Sequence, residues 1–268
     1  MTGVMNDAGT CLDVSGFVTL LVEEREDRLA ARLHRPEVRN AIDQSMVDEL
    51  YAVCAHLERT PKILILSGTP ADPESGTKAV FASGADIAQL RGRRRDDALA
   101  GINSGIFERI AKLPMPVIAA LDGYALGGGA ELAYAADFRI GTRGLRMGNP
   151  ETNLGILAAA GAIWRLKELV GEPLAKQILL AGKALAGEEC LANGLITELV
   201  EPWTLMDSAH ALADTIAAQD PLAVRITKAV FHAPRDAHPV IDTLAQGVLF
   251  ESQAKFDRMQ AFLDRKKK

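Results

Sequence analysis

The stretch LDGYALGGGAELAYAAD, residues 121–137, places three consecutive glycines between an apolar segment and a segment of helical periodicity. Each glycine costs a helix or strand interior roughly 0.5–1 kcal/mol relative to alanine. Three together therefore indicate a turn or a backbone that a ligand approaches closely. Glu131 lies two positions beyond the last glycine, in the first turn of the predicted helix. A glutamate there is also favoured by the helix dipole alone, so its position does not by itself establish a catalytic role.

On both sides of this stretch the order strand, turn, helix repeats, which predicts an α/β protein. Residues 16–36 predict an opening β-hairpin, and apolar spacing from Asp43 onward predicts an amphipathic helix. A second helix is expected after Asp86, whose side chain can cap it. From about residue 160 the pattern is helical, apart from a predicted strand at GLITELV (194–200). Further buried strands are expected at KILILSG (62–68), AVFAS (79–83), MPVIAALDGYAL (115–126) and DFRIGT (137–142).

The bulk composition is ordinary for a globular protein: 268 residues, 48% hydrophobic and 24% charged, with a formal net charge of -5. We predict a disordered N-terminus (1–15), a core (16–202) and a C-terminal helical region (203–268). The acidic balance argues against nucleic acid as a partner. No apolar stretch approaches the roughly 20 residues that span a bilayer, and the N-terminus lacks the pattern of a secretion signal. We therefore expect a cytoplasmic protein with no membrane partner.

Several common site motifs are missing from the sequence. No phosphate loop, dinucleotide-binding G-x-G-x-x-G turn or G-x-S-x-G nucleophile elbow occurs, so no nucleotide cofactor is indicated. The three cysteines and five histidines show no metal-ligand spacing, and we predict neither a metal site nor a disulfide framework. The charged run RGRRRDD (91–97) is interpreted as a solvated loop.

Two loops combine small residues with the junction between a strand and a helix: FASGAD (81–86) and ALGGGAE (125–131). Backbone N–H groups at helix starts are unpaired and carry partial positive charge, which suits a carbonyl oxygen that becomes an enolate. Glu151, in MGNPETNLG (147–155), follows in another glycine-bearing turn. Either Glu131 or Glu151 could be catalytic, or each could be an ordinary helix or turn carboxylate.

These residues resemble the crotonase (enoyl-CoA hydratase/isomerase) superfamily in order and spacing, over nearly the whole chain from about Phe17. The resemblance implies a crotonase-like spiral of ββα units that binds an acyl-CoA thioester, with no further cofactor. It also implies a C-terminal helical trimerisation region and therefore a homotrimer or homohexamer. The segments that carry the resemblance are FASGADI (81–87), MPVIAALDGYALGGGAELAYAADFRI (115–140), MGNPETNLGILAAAGAIWRL (147–166), LLAGKALAGEECLANGLITELV (179–200) and AFLDRKK (261–267).

The resemblance also assigns roles to individual residues. Crotonases hold the thioester oxygen with two backbone N–H groups, which correspond here to Ala85 and Gly128. The two glutamates of the family's hydratases correspond to Glu131 and Glu151, which would supply the base and the acid that hydration of a 2-enoyl thioester needs. Contacts with the CoA or substrate are expected from Val38, Arg39, Ala41, Ser83, Asp86, Ile87 and, near a CoA phosphate, Arg265.

One segment departs from the family's pattern. After NLG, many hydratases carry a proline and glycines where this sequence has alanines at 158, 159 and 162. The added methyl groups restrict the backbone and fill space near the expected water. Because both glutamates are present, the leading hypothesis is nevertheless an enoyl-CoA hydratase, with an enoyl-CoA isomerase or another crotonase-family lyase as the first alternative. A noncatalytic or RNA-binding crotonase-fold protein is the second alternative.

Overall fold

The computed structural model describes residues 12–265, which form two compact units, one ending at Ala213 and the other beginning at Asp214. Residues 1–11 of the predicted disordered N-terminus lie outside the described residues. The first unit includes part of the predicted helical region because Ala209 and Ala213 are fully buried and the His210 carbonyl accepts a 2.9 Å hydrogen bond from Arg28 Nη1.

The described chain contains strands and helices in alternation through most of the first unit, as expected for an α/β protein. The strands are β1 Leu20–Glu24, β2 Arg28–Leu33, β3 Ile63–Ser67, β4 Val80–Ala82, β5 Val117–Leu121, β6 Tyr124–Leu126, β7 Phe138–Thr142, β8 Arg146–Gly148, β9 Leu185–Ala186 and β10 Glu198–Val200. The helices are α1 Gln44–Arg59, α2 Ile87–Gly92, α3 Arg95–Leu99, α4 Ile102–Ala111, α5 Gly128–Tyr134, α6 Ala162–Ala181, α7 Gly187–Ala192, α8 Leu205–Ala217, α9 Pro221–Phe231, α10 Val240–Phe250 and α11 Gln253–Arg265.

The strands form two sheets, ordered β1-β2-β3-β5-β7-β10 and β4-β6-β8-β9. Neighbouring strands are parallel except β1 with β2 and β8 with β9, which are antiparallel. The consecutive pairs β3/β4, β5/β6 and β7/β8 each send one strand to each sheet, and a helix follows each pair. This repeat of two strands and a helix brings the β4–α2 and β6–α5 junctions side by side.

Most predicted elements are confirmed, including the opening hairpin and the helix after Asp43, whose carboxylate accepts from the Met46 N–H at 2.9 Å. The segment MPVIAALDGYAL, however, is two strands in different sheets instead of one. The chain turns at Gly123, where φ is +66° and an added β-carbon would lie 1.9 Å from the Ala79 carbonyl oxygen. The short strands β8 and β9 were not predicted. Strands of three and two residues carry too little apolar periodicity to be identified from sequence.

The charged run RGRRRDD was also misassigned, because it is not a simple loop. It spans the end of α2, at Gly92, and the start of α3, at Arg95. The Asp97 carboxylate accepts a 2.7 Å hydrogen bond from the N–H of Arg94, which precedes the first residue of α3, and so satisfies a backbone donor at the start of this helix. The acidic residues that follow the arginines therefore stabilise a helix start.

The second unit contains the end of α8 followed by α9, α10 and α11, which confirms the predicted helical character of this region. Asp220 caps α9 by accepting from the Ala223 N–H at 2.8 Å. Within residues 12–265, no helix combines the length and the apolar composition that crossing a membrane requires.

Candidate active site

A cleft of about 470 Å³ opens in the first unit where the two glycine-bearing loops meet. Its wall includes both loops, the start of α4, the turn around Glu151 and the segment that leads into α6. The lining residues are Ser83, Gly84, Ala85, Ile87, Leu90, Arg93, Arg94, Asp97, Ala98, Gly101, Ile102, Asn103, Ser104, Gly127, Gly128, Glu131, Pro150, Glu151, Leu154, Ile156, Leu157, Ala159 and Ala160.

The first loop, from Ser83 to Asp86, is fixed on both sides of Ala85. The Gly84 carbonyl accepts from the Ile42 N–H at 2.8 Å, and the Asp86 N–H donates to the Ile42 carbonyl at 3.0 Å. Gly84 has a φ of +113°, which favours glycine. The Asp86 side chain caps α2 by accepting from the N–H groups of its first turn, at 3.0 and 3.2 Å. Ala85 is therefore held in place by the hydrogen bonds of its two neighbours to Ile42 and by the Asp86 cap of α2.

Two of the three glycines are required, each for a different reason. Gly127 has a φ of +54° and donates to the Gly148 carbonyl at 2.9 Å, so it forms the turn. Gly129 packs against β4, where an added β-carbon would lie 2.3 Å from the Ala82 carbonyl oxygen. Gly128 lies between them as the first residue of α5, and its N–H has no partner within the helix. The triplet thus combines a turn with a close approach of the helix to the sheet.

The two loops bring the N–H groups of Ala85 and Gly128 to the same part of the cleft. A β-carbon added to Gly128 would lie 3.4 Å from the Ala85 nitrogen, and one added to Gly84 would lie 3.7 Å from the Gly128 nitrogen. In the part of the chain that the structure describes, neither N–H donates a hydrogen bond to a protein acceptor. Two unpaired donors of this kind suit an oxygen that carries negative charge.

Glu131 lies on α5, with 3% of its surface exposed, and lines the cleft. Its Oε1 accepts from the Ala160 N–H at 2.7 Å and from the Ala162 N–H at 3.1 Å. Burial raises the pKa of Glu131 to about 7, and the nearby charge of Glu151 adds to the increase. The two hydrogen bonds favour the carboxylate and oppose this shift, so burial has the larger effect.

Glu151 begins a short 3-10 helix, Glu151–Leu154, and is 9% exposed. Its Oε1 accepts from Asn149 Nδ2 at 3.4 Å, whereas its buried Oε2 has no partner within residues 12–265. Burial raises the pKa of Glu151 as well. Asn149 is itself oriented by Tyr134, whose hydroxyl donates to Asn149 Oδ1 at 3.0 Å. The carboxyl group is therefore held at one oxygen and has a second oxygen that can bind a donor.

These groups form a site that can bind an oxygen anion and transfer protons beside it. Burial raises the pKa of both carboxyl groups, and with a pKa of about 7 Glu131 can retain a proton near neutral pH. One can then act as an acid while the other acts as a base. Among residues 12–265, no cluster of three or more histidine, cysteine or acidic side chains has an arrangement suited to a metal ion.

The predicted contact residues divide into four groups. Ser83 and Ile87 line the cleft beside Ala85, whereas Asp86 does not line it and instead caps α2. Val38, Arg39 and Ala41 lie in the segment that supports the first loop, where the Arg39 carbonyl accepts from the Ser83 N–H at 3.1 Å, but they are not part of the cleft wall. Arg265 is exposed at the end of α11, in the second unit. Contacts of these residues with a CoA ligand remain predictions.

Sequence reasoning missed several residues of the cleft. Asn103 lines it from α4, and Arg93 and Arg94 line it from the run that was interpreted as a solvated loop. The alanine segment after Gly155 has a role that its departure from the family pattern did not indicate, because the N–H groups of Ala160 and Ala162 hold Glu131. The apolar part of the wall includes Leu154, Ile156 and Leu157. The apolar residues of ILAAAGAIW (156–164) were a signal in the sequence for this surface.

Comparison with known proteins agrees with the fold. Residues 26–268 match the family model described as enoyl-CoA hydratase/isomerase. The chain is 31% identical over 254 residues to a short-chain-enoyl-CoA hydratase from Clostridium acetobutylicum, covering 92% of this chain and 95% of the relative. It is 33% identical over 256 residues to a crotonyl-CoA hydratase from Syntrophomonas wolfei, covering 92% of this chain and 96% of the relative.

Among solved structures, the enoyl-CoA hydratase from Bacillus anthracis matches with a TM-score of 0.85 and 26% identity, covering 92% of this chain and 97% of that chain. This similarity confirms the predicted crotonase-like α/β fold. Because the family model covers most of the sequence and the relatives match over nearly their full length, the chain belongs to the enoyl-CoA hydratase/isomerase family.

Proposed function

We propose that this protein is an enoyl-CoA hydratase, a hydro-lyase that adds water across the double bond of a 2-enoyl-CoA and yields the 3-hydroxyacyl-CoA. One observation carries the proposal: two buried carboxyl groups, Glu131 and Glu151, line the same cleft as the unpaired N–H groups of Ala85 and Gly128. The names of the relatives from Clostridium acetobutylicum and Syntrophomonas wolfei support hydration as the reaction.

In this proposal the thioester oxygen accepts hydrogen bonds from Ala85 and Gly128. Water attack at the β-carbon pushes electrons onto that oxygen and creates an enolate. Donors that are already in place stabilise the new charge without reorganisation, and losing one such donor typically costs about 100-fold to 1000-fold in rate. The small side chains of the two loops allow the thioester to come within hydrogen-bonding distance.

The two glutamates supply the proton transfers. One carboxylate removes a proton from the attacking water, and the other carboxyl protonates the α-carbon of the enolate. The Oε2 of Glu151, which has no partner among the described residues, can accept from that water. Their raised pKa values support the presence of one shared proton near pH 7. An isomerase moves a proton without consuming water and can use a single carboxylate, so the presence of both favours hydration.

The experiment is an assay of purified protein with crotonyl-CoA, which follows the loss of the conjugated enoyl absorbance. We expect turnover in the wild type and a large loss in Glu131→Gln and Glu151→Gln, with acyl-CoA affinity retained. A folded protein that leaves crotonyl-CoA unchanged but converts a 3-enoyl-CoA would be an isomerase. No thioester turnover together with salt-dependent RNA binding would indicate the noncatalytic alternative.

We also infer that the chain acts as a homotrimer or homohexamer in the cytoplasm. Helices of the second unit expose apolar side chains that a partner subunit could cover, including Leu244, Val248, Phe256 and Met259. Cys54 and Cys190 are buried free thiols, which fits a reducing compartment. Light scattering of the purified protein would measure the oligomeric state directly.

A further inference from the structure

Asn103 places a side-chain amide next to the two loop N–H groups. It is the second residue of α4 and lines the cleft. Its Nδ2 lies 3.5 Å from the position that a β-carbon would occupy at Gly128, and the Ala85 nitrogen lies 3.4 Å from that same position. The space beside Gly128, which is empty of side chain because the residue is glycine, is therefore bordered by two nitrogen donors.

The fold does not account for this amide. Within residues 12–265, neither end of the Asn103 side chain makes a hydrogen bond to the protein, and its Oδ1 is buried without a partner. Burying an unpaired polar group destabilises a protein. An apolar side chain of similar size would suit this helix position at least as well. In the described chain the Nδ2 end of this amide therefore remains available to donate to a ligand in the cleft.

We propose that Asn103 is a further catalytic residue, whose Nδ2 donates a third hydrogen bond to the thioester oxygen beside those from Ala85 and Gly128. This inference rests on the proposed function, because it assumes an acyl-CoA thioester in the cleft. The bond strengthens as the carbonyl becomes an enolate and the oxygen gains negative charge. Asn103 thus lowers the barrier to the reaction more than it improves binding of the substrate.

Two variants separate this role from a structural one. Asn103→Leu removes both polar ends at similar volume, and Asn103→Asp keeps the shape but replaces the donor by an oxygen with negative charge. Asn193→Leu is the control for activity, since Asn193 lies outside the cleft wall at the exposed end of α7, where its Nδ2 donates to the Glu189 carbonyl at 2.8 Å. Each variant is tested in the full chain for thermal stability, for kcat and KM with crotonyl-CoA, and for thioester polarisation.

Thioester polarisation is read from the absorbance of bound 4-(dimethylamino)cinnamoyl-CoA, whose band shifts to the red when donors pull electron density toward the carbonyl oxygen. This readout does not require hydration. For Asn103→Leu at saturating ligand, we expect a smaller red shift and a kcat about 10-fold to 100-fold lower, with KM changed less than about threefold. We expect a melting temperature no lower than that of the wild type. Asn103→Asp should lose more activity than Asn103→Leu, because its carboxylate repels the enolate.

The outcomes distinguish the two proposals. If the wild type hydrates crotonyl-CoA but Asn103→Leu keeps its full red shift and kcat, the role of Asn103 is overturned and the proposed function stands. If the wild type shows the red shift and Asn103→Leu reduces it, while no hydration occurs, the role of Asn103 stands and the hydratase assignment fails. A wild type without any red shift, or an Asn103→Leu variant that loses activity only together with its melting temperature, overturns the inference.

Discussion

Two buried glutamates on two helices differ in how many of their carboxylate oxygens accept hydrogen bonds from the described chain. Glu49 on α1 is 8% exposed and has both oxygens hydrogen-bonded, to the N–H groups of Val18 and Thr19 and to the Thr19 hydroxyl at 2.6 Å. Glu131 on α5 is 3% exposed, yet its hydrogen bonds to the described chain reach Oε1 only, and it lines a cleft. Burial alone therefore does not identify a catalytic carboxylate. The informative feature is an oxygen that the fold leaves available.

The largest difference between these two carboxylates should appear in activity. In the proposed mechanism Glu131→Gln removes a proton-transfer group, so we expect kcat for hydration to fall by about 100-fold to 10,000-fold. Glu49→Gln, the same substitution at a similarly buried position, should retain wild-type kcat per folded molecule. Steady-state kinetics with crotonyl-CoA, corrected for the folded fraction by circular dichroism, measures both. Equal losses in the two variants would contradict the comparison.

A second test extends the comparison to the partner carboxylate. Glu151→Gln places an amide where Oε2 has no partner in the described part of the chain, and we expect a loss of hydration in the same range, about 100-fold to 10,000-fold. Acyl-CoA affinity, measured by calorimetry with a saturated analogue, should change little because the loop N–H groups are intact. Near-wild-type turnover would show that one carboxylate is sufficient and would favour isomerase chemistry.

Glu131→Gln and Glu49→Gln should also change the free energy of unfolding in opposite directions. A pKa of about 7 in the folded protein, against 4.5 for an ordinary glutamate, means that folding opposes the charge of Glu131. Wild-type stability therefore declines as pH rises from about 4.5 to about 7, and Glu131→Gln should be more stable by up to about 3 kcal/mol at and above pH 7. Its advantage should vanish at pH 4.

Glu49→Gln should instead be destabilised, by about 1–3 kcal/mol. The new amide nitrogen cannot accept a hydrogen bond, so donors of Val18 or Thr19 lose their acceptor. Urea unfolding of both variants at pH 4, 6 and 8 checks the two signs together. A Glu131→Gln variant that is less stable than the wild type at pH 8 would show that its two backbone hydrogen bonds outweigh burial.

The smallest expected effect is the pH dependence of the wild-type rate. In the proposed mechanism, Glu131 loses its proton as the pH rises above its pKa of about 7, so no acid remains for the α-carbon. We expect kcat to fall by up to tenfold per pH unit above that point. The Glu49→Gln variant should follow the same profile. A kcat that stays constant from pH 7 to 9 would argue against a shared catalytic proton.

The sequence alone was sufficient to predict the features that depend on the local pattern of residues. The hairpin, the helix after Asp43 and the glycine turn before Glu131 follow from apolar spacing, capping residues and glycine itself. Contacts between distant segments could not be predicted in the same way. The hydrogen bonds from the Ala160 and Ala162 N–H groups to Glu131 depend on where α6 begins, and an alanine carries no sign of that role.

The position of Asn103 in the cleft likewise could not be predicted from the sequence. On sequence it is one polar residue near the start of a helix, and only the packing of α4 beside α5 places its amide next to Gly128. The roles of Glu131 and Glu151 likewise came from family resemblance, since each has an ordinary explanation as a helix or turn carboxylate. The structure adds their shared burial and their common cleft.

The hydrogen bonds between Glu131 and the start of α6 also make opening of the site measurable by amide hydrogen exchange. The Ala160 and Ala162 amide protons are held by the Glu131 carboxylate, so their exchange with deuterated solvent requires that the carboxylate move away. Hydrogen exchange at these two positions therefore measures how often the site opens, without substrate and without turnover. Any ligand that tightens the site should slow the exchange of both amides together.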